Sequence, residues 1–171
     1  MGRSYDEEFT AFATASLPHL RRTAYLMCGN WHHAEDAVQE ALIRVYRSWR
    51  RVERREGLLA YARSATVRIL IDQSRRPWRR EKSIDVPESN DAVDPTAEVD
   101  ERDTMVRALS SLSPGRRACV VLRYYHDLSV AETARALGCS EGTVKSQTSH
   151  GLAALRRLLG EQTLAALAKG V

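Results

Sequence analysis

The residues best suited to chemistry lie in one stretch near the C-terminal end, from Ser140 to His150. This run, SEGTVKSQTSH, is dominated by small polar side chains and carries one lysine, Lys145. Hydroxyl, amide and carboxylate groups can exchange hydrogen bonds with base edges, and a lysine can hold a phosphate. The run therefore predicts a surface that reads nucleic acid.

Other chemistries find little support in the sequence. There is no Ser-His-Asp array and no glycine-rich nucleotide loop. Cys28 lies near His32 and His33, but a zinc site needs about four ligands in a defined arrangement and no partner pair is evident. The three cysteines are odd in number and widely spaced, which argues against a disulfide framework. We therefore expect no enzymatic activity, no cofactor and no metal.

A helix-turn-helix is predicted to position the polar run. The first helix, SVAETARALG, has Ser129 as its N-cap and stops at Gly138, a residue that accepts positive φ in a tight turn. The second helix has Ser140 as its N-cap, and the N-terminal half of such a helix enters the major groove of DNA. A packed helical pair with a merely solvated polar face is the alternative. The residues expected to face inward are Val130, Ala134, Leu137, Val144, Leu152 and Leu155, and those expected on the opposite face of the second helix are Glu141, Lys145, Ser146 and Ser149.

Two further helices are predicted before this motif. The segment RDTMVRALSSL is short and amphipathic. The segment SPGRRACVVLRYYHD begins with Ser113 as a likely N-cap and Pro114 at the first helical position, where a missing N–H costs nothing.

The N-terminal region, about residues 5–80, contains four helix candidates. DEEFTAFATASLPHLRRTAYLMCG is amphipathic, and Pro18 is expected to kink or divide it. HHAEDAVQEALIRVYRSWRRV is the strongest candidate, with one apolar stripe and one polar face, and LLAYARSATVRILIDQSRRPWRRE follows a charged loop. The residues expected to pack inward include Phe9, Phe12, Leu17, Leu20, Ala24, Met27, Ala34, Val38, Ala41, Leu42, Val45, Tyr46, Trp49, Leu58, Tyr61, Ala62, Ala65, Ile69 and Leu70.

The charge is unevenly distributed along the 171 residues. A formal net charge of +4 conceals two basic blocks, residues 1–82 and 104–171, which flank an acidic segment at 83–103 with eight acidic residues against one arginine. Basic blocks suit polyanions, whereas an acidic segment with few apolar residues cannot build a core and is predicted to be a flexible linker. No apolar run reaches the length of a membrane span and the first residues lack a signal core, so we expect a cytoplasmic protein.

Two motifs in order resemble a known family. AEDAVQEALIRVYRSW followed by YARSATVRILIDQSRR resembles region 2 of bacterial RNA polymerase sigma factors. LSPGRRACVVLRYYHDLSVAETARALGCSEGTVKSQTSHGLAALR resembles region 4. With the acidic linker between them, the chain looks like an extracytoplasmic-function (ECF) sigma factor, and the wording GTVKSQTS is closest to an actinobacterial subgroup. The resemblance covers about residues 8–160.

The resemblance implies an all-α chain of two small helical domains. Region 2 would occupy 5–80, the acidic linker 81–103, region 4 with its helix-turn-helix 104–160, and a short tail 161–171. Region 2 would bind core polymerase and melt the minus-10 promoter element, and region 4 would recognise the minus-35 element. In the family the linker threads the RNA channel, where its acidic residues could mimic phosphate charge; a plain tether is the alternative.

The resemblance also implies roles for particular residues. The core-binding set is Asp36, Gln39, Glu40, Ile43 and Arg44. The minus-10 set is Arg50, Arg51, Arg54, Arg55, Tyr61, Arg63, Arg68, Arg75 and Arg76, with Thr66 on the same surface. The minus-35 set is Ser140, Glu141, Thr143, Lys145, Ser146, Gln147, Ser149 and His150. Two positions depart from the family pattern, because many relatives carry Asn in place of Arg68 and Arg in place of His150.

One competing function comes from the C-terminal half alone. The helix containing SEGTVK is also similar to the DNA-binding domain of LuxR-type response regulators, which suits a stand-alone transcriptional regulator. The N-terminal half favours a sigma factor, with core RNA polymerase and promoter DNA as expected partners. An anti-sigma factor is left open as a third partner, and no membrane insertion is expected.

Overall fold

The computed structural model describes residues 4–49, 51, 56–76 and 98–160. In the last of these ranges, the side chains are described from residue 103 onward. The chain divides into two compact units, Met1–Asp72 and Gln73–Val171. Every regular element in the described residues is helical: α1 Tyr5–Cys28, α2 Trp31–Trp49, α3 Leu58–Ser74, α4 Glu98–Ser110, α5 Pro114–Val120, a π-helical turn Val121–Tyr125, α6 Val130–Leu137 and α7 Glu141–Leu159. Within the described residues no helix is both long enough and apolar enough to cross a bilayer.

Helices α1 and α2 form an antiparallel pair in the first unit. Gly29 ends α1 in the left-handed conformation, with φ of 67°, which lets the chain reverse within two residues. At the far end, the Tyr46 hydroxyl donates to Asp6 Oδ1 at 2.9 Å, and the rings of Phe9 and Trp49 meet edge to face at 5.3 Å. Aromatic packing therefore stabilises the end of the α1–α2 pair that lies opposite the Gly29 turn.

Several positions in this unit differ from the sequence-based expectation. Pro18 does not divide α1, which runs unbroken from Tyr5 to Cys28, and Pro18 is exposed. Proline has no N–H to bond the carbonyl one turn earlier in the helix. On the solvent side that carbonyl can bond water instead, so the helix continues through Pro18. The described residues of the first region show three helices; the count of four stays a prediction, because residues 50, 52–55 and 77–80 lie outside the described residues. Leu17, Tyr46 and Tyr61, expected to pack inward, are 38%, 44% and 46% exposed.

Helix α7 is the centre of the second unit and packs against α4, α5 and α6. Its buried side includes Val144, Leu152 and Leu155, as the periodicity predicted. Gly151 sits where α7 meets α5, because a Cβ there would lie 2.8 Å from Val120 Cγ2. The absence of a side chain at Gly151 is what allows the two helices to approach so closely.

Arg117 of α5 fixes the end of α4. Its Nε donates to the carbonyl of Leu109 at 2.7 Å, and its Nη2 donates to the carbonyls of Ser110 and Leu112 at 3.0 Å each. These carbonyls lie at the C-terminus of α4, where backbone acceptors lack intrahelical partners and a cation is favoured by the helix dipole. Arg117 is thus a structural cation rather than a free one.

We expect Arg117→Met to lower the free energy of unfolding of the second unit by about 2 kcal/mol, because it leaves three carbonyls without a charged donor. Urea denaturation followed by circular dichroism measures this. Arg116→Met is the control, since the Arg116 side chain has no such carbonyl partners among the described residues, and it should change stability by less than about 0.5 kcal/mol. Equal losses from the two variants would show that Arg117 does not cap α4.

Candidate nucleic-acid interface

The start of α7 is built by the cap that the sequence predicted. Ser140 has extended backbone angles, and its hydroxyl oxygen accepts the Thr143 N–H at 3.1 Å. The Ser140 and Thr143 hydroxyls also lie 2.9 Å apart and share a hydrogen bond. The preceding helix α6 begins with a capping box between Ser129 and Glu132, and it ends at Gly138 with φ of 66°. The geometry is that of a helix-turn-helix.

The polar run of α7 faces outward. Among the minus-35 set, seven residues are exposed: Ser140, Glu141, Thr143, Lys145, Ser146, Ser149 and His150. Gln147 differs, because it is half-buried and its Oε1 is inaccessible and has no hydrogen-bond partner among the described residues. The exposed residues thus offer hydroxyl, carboxylate, ammonium and imidazole groups to a ligand, whereas Gln147 would have to rotate to do so.

A groove beside this face is lined by cationic side chains from separate parts of the second unit. It has a volume of about 300 Å³ and is lined by Arg123, Val130, Lys145, Thr148, Ser149, Leu152 and Arg156. Arg123 comes from the π-helical turn, outside the helix-turn-helix, and also donates to the carbonyl of Leu128. Lys145 is therefore the first of three cations along one groove, and sequence reasoning missed Arg123 because no local pattern indicates that it reaches α7.

A second exposed surface follows α3. At about 100° per residue, Tyr61 and Arg68 fall within about 20° of one another, whereas Arg75 and Arg76 lie just after the helix ends at Ser74. Tyr61, Arg68, Arg75 and Arg76 are all exposed, as is Arg51 before the helix. Exposed aromatic and guanidinium side chains are the groups that suit single-stranded nucleic acid, since bases stack and phosphates pair with cations.

Two residues expected on this surface lie elsewhere. Thr66 is fully buried, and its hydroxyl donates to the Ala62 carbonyl at 2.9 Å, so it offers nothing to DNA. Arg63 is half-buried and lies about 140° around the helix from Arg68. Arg50, Arg54 and Arg55 are outside the described residues, as are most of the acidic segment 81–103 and the tail 161–171.

The predicted core-binding residues share one face of α2. Asp36, Gln39, Glu40, Ile43 and Arg44 are all exposed, and Ile43 is 52% exposed. Arg44 pairs with Glu40 one turn away at 2.7 Å, and next to this face Glu35 pairs with Arg21 of α1 at 2.5 Å. Asp36 has no ion-pair partner among the described residues, so its charge is available to another molecule.

The cysteine and histidine residues near the α1–α2 turn do not assemble a metal site in the described part of the chain. The Cys28 thiol donates to the Asn30 carbonyl at 3.2 Å. None of the three cysteines, all of which lie in the described residues, forms a disulfide.

Comparison with known proteins bears on both units. The family model described as Sigma-70 region 2 matches residues 12–80, and that described as Sigma-70, region 4 matches residues 102–155. The RNA polymerase sigma-E factor of Streptomyces coelicolor is 34% identical over 165 residues, covering 94% of this chain and 91% of that protein. The ECF RNA polymerase sigma factor SigM of Mycobacterium tuberculosis is 32% identical over 141 residues, covering 82% and 71%.

A solved structure agrees with these relatives. The sigma factor RpoE of Bartonella quintana, crystallised with the anti-sigma factor NepR, superposes with a TM-score of 0.70 at 27% identity, covering 90% of this chain and 97% of that one. The two sigma-70 models fall on the two units in the order that the motifs predicted. The chain therefore belongs to the sigma-70 family, as an actinobacterial-type ECF sigma factor of RNA polymerase.

Proposed function

We propose that three helices divide the work of this sigma factor. The exposed face of α7 reads the minus-35 element, Tyr61 and Arg68 of α3 hold the melted minus-10 strand together with Arg75 just after the helix, and the α2 face around Asp36 docks on core polymerase. The observation that carries the proposal is that the described members of the three residue sets are largely exposed, and that the core-binding set shares one face of α2. The corresponding domains are 5–80 and 104–160, with 81–103 as linker and 161–171 as tail.

The chemistry assigned to these faces is binding, with no bond made or broken by the sigma factor itself. Cations and the start of α7 engage phosphates, and hydroxyl groups exchange hydrogen bonds with base edges. At the minus-10 element, guanidinium groups hold the backbone while Tyr61 stacks on a base. This chemistry requires access to the chromosome and to core polymerase, so we propose a cytoplasmic site of action.

The experiment that tests the proposal is reconstitution with core RNA polymerase. Transcript start sites are mapped first to obtain a promoter, and run-off transcription and co-elution with core polymerase are then measured on the same protein. We expect the wild-type chain to co-elute and to direct initiation at that promoter. Failure to co-elute, together with binding of the chain alone to an operator, would instead support the stand-alone regulator.

The division of labour is tested by matched variants. Asp36→Lys should weaken co-elution with core polymerase at least tenfold, because it reverses a charge that has no ion-pair partner among the described residues. Glu56→Lys, at an exposed acid outside α2 and outside the linker, is the control and should co-elute normally. Tyr61→Ala should co-elute but form fewer open promoter complexes. Loss of co-elution in all three variants would contradict the assignment.

His150→Arg should strengthen DNA binding at the minus-35 face, whereas the variants above should weaken binding or promoter opening. His150 is exposed on α7, and a guanidinium there would add a cation within reach of the backbone. We expect holoenzyme affinity for duplex promoter DNA to rise about threefold to tenfold, and the salt dependence to steepen by about one unit of slope. Filter binding between low and moderate salt measures both quantities. Unchanged affinity and slope would mean that His150 does not approach the duplex.

A protein inhibitor is a natural further partner for a sigma factor of this kind. The relative from Bartonella quintana was solved in complex with the anti-sigma factor NepR. That complex supports the proposal that an anti-sigma factor binds this chain as well. Capture of such a factor on the immobilised sigma factor, competed by core polymerase, would test it.

A further inference from the structure

Two of the three cysteines share one apolar cluster inside the second unit. Cys119 of α5 is buried with Ala134 of α6 and Val144 of α7, and Cys139 packs against this cluster together with Val130 and Leu137. Cys139 lies in the turn of the helix-turn-helix, between Gly138, which ends α6, and Ser140, which caps α7. The cluster thus holds two thiols where three helices meet.

The two thiols differ in access to solvent. Cys119 is 1% exposed, whereas Cys139 is only partly buried. Cys139 also lines an open depression of about 670 Å³, together with Ala131, Ala134, Arg135, Gly138 and Glu141. Cys139 is therefore more accessible to a small water-soluble reagent than Cys119 is.

The electrostatics of the pair agree with this order. Burial, and secondarily the nearby charge that Cys139 would carry, raise the pKa of the Cys119 thiol to about 11. Cys119 is therefore held as a thiol near neutral pH, and a thiol reacts far more slowly with oxidants than a thiolate does.

We propose that Cys139 is an oxidant-modified site and that Cys119 is its resolving partner, so that peroxide converts the pair into a disulfide within the helix-turn-helix. In the first step the Cys139 sulfur attacks one peroxide oxygen, the O–O bond breaks, and Cys139 becomes a sulfenic acid while water leaves. In the second step the Cys119 sulfur attacks the Cys139 sulfur, the S–O bond breaks, the S–S bond forms, and a second water leaves. Two thiols lose two electrons in total, and hydrogen peroxide gains them.

The disulfide would disturb DNA reading, an effect that rests on the function proposed above for α7. The two sulfur atoms are not bonded in the structure, so forming a bond of about 2.05 Å draws the turn toward α5. Helix α7 starts at Glu141, two residues after Cys139, and its contacts with base edges require placement to within about 0.5 Å. Thiol exchange would restore the reduced pair.

The chemical step is tested on the full chain carrying Cys28→Ser, which removes the third thiol. After treatment with hydrogen peroxide, we expect a mass loss of 2 Da, no free thiol after denaturation, and a peptide linking Cys119 to Cys139. Adding Cys119→Ala should instead give a sulfenic acid at Cys139 that dimedone traps, and adding Cys139→Ser should leave the Cys119 thiol intact. Persistence of both thiols in the Cys28→Ser chain, or disulfides only between molecules, would overturn the proposal.

The functional step uses the same Cys28→Ser chain bound to core polymerase. We expect peroxide to lower run-off transcription about tenfold, dithiothreitol to restore it, and the Cys119→Ala Cys28→Ser chain to lose less activity. A disulfide that forms without lowering transcription would overturn the switch. Inactivity of the reduced chain on every promoter would instead contradict the proposed function, and the mass measurement would still decide whether the disulfide forms.

Discussion

Replacing Lys145 by Glu should weaken binding of the holoenzyme to duplex promoter DNA by about 100-fold, and Lys145→Gln should weaken it by about tenfold. Lys145 is exposed on the polar face of α7 and lines the groove that also contains Arg123 and Arg156. Removing its charge forfeits one phosphate contact, and reversing the charge adds repulsion from the backbone. Competition binding over a range of salt concentrations measures both variants.

The salt dependence separates a phosphate contact from a structural effect. Lys145→Gln should reduce the slope of log affinity against log salt by about one unit, because one fewer counterion is released. Arg157→Glu is the matched control, since Arg157 is exposed on the same helix but does not line the groove, and it should change affinity less than threefold. Equal losses from Arg157→Glu and Lys145→Glu would show that α7 acts only through general charge.

Gly151→Val should lower the free energy of unfolding of the second unit by about 3 kcal/mol. Even the Cβ of alanine would lie 2.8 Å from Val120 Cγ2, and Val120 is fully buried with a stiff, branched side chain. Overpacking of this kind costs about 1–3 kcal/mol, which exceeds the helix propensity gained on leaving glycine. Urea denaturation, with hydrogen exchange localised to α5 and α7, measures the loss.

Gly142→Ala in the same helix should raise the free energy of unfolding instead of lowering it. Its Cβ would meet only Ser140 Oγ, at 3.8 Å, so alanine should stabilise the second unit by up to about 1 kcal/mol. Gly151→Ala should be destabilising by itself and less so when combined with Val120→Ala, which removes the facing methyl group. If Gly151→Ala stabilised the protein as much as Gly142→Ala does, the close approach of α5 and α7 would be refuted.

Local signals in the sequence predicted much of the fold. Ser129 and Ser140 cap their helices and Gly138 adopts positive φ, as expected, because caps and turns depend on a few neighbouring residues. Ser113 precedes α5 as predicted, although its side chain makes no capping hydrogen bond. The inward positions of α7 followed directly from helical periodicity.

Where the sequence-based expectations were wrong, the outcome depended on whether the position faces solvent or is buried against another helix. Pro18 is tolerated inside α1 because it faces solvent, and periodicity does not reveal whether a carbonyl can reach water. Tyr46 and Tyr61 are apolar enough to be assigned to the core, yet both rings remain about half exposed. Thr66 appeared suited to DNA contact, but its hydroxyl satisfies a carbonyl of its own helix in a fully buried position.

The sequence by itself determined that the chain is helical, that it ends in a helix-turn-helix, and that it resembles a sigma factor, because these features rest on local propensity and on ordered motifs. Only the tertiary structure decided which distant residues meet. It brought Arg123 to the groove beside Lys145, assigned Arg117 to the end of α4, seated Gly151 against Val120, and placed Cys119 with Cys139 in one cluster. Each of these contacts depends on helix packing, because side chains far apart in sequence become neighbours only when the helix faces that carry them pack against each other.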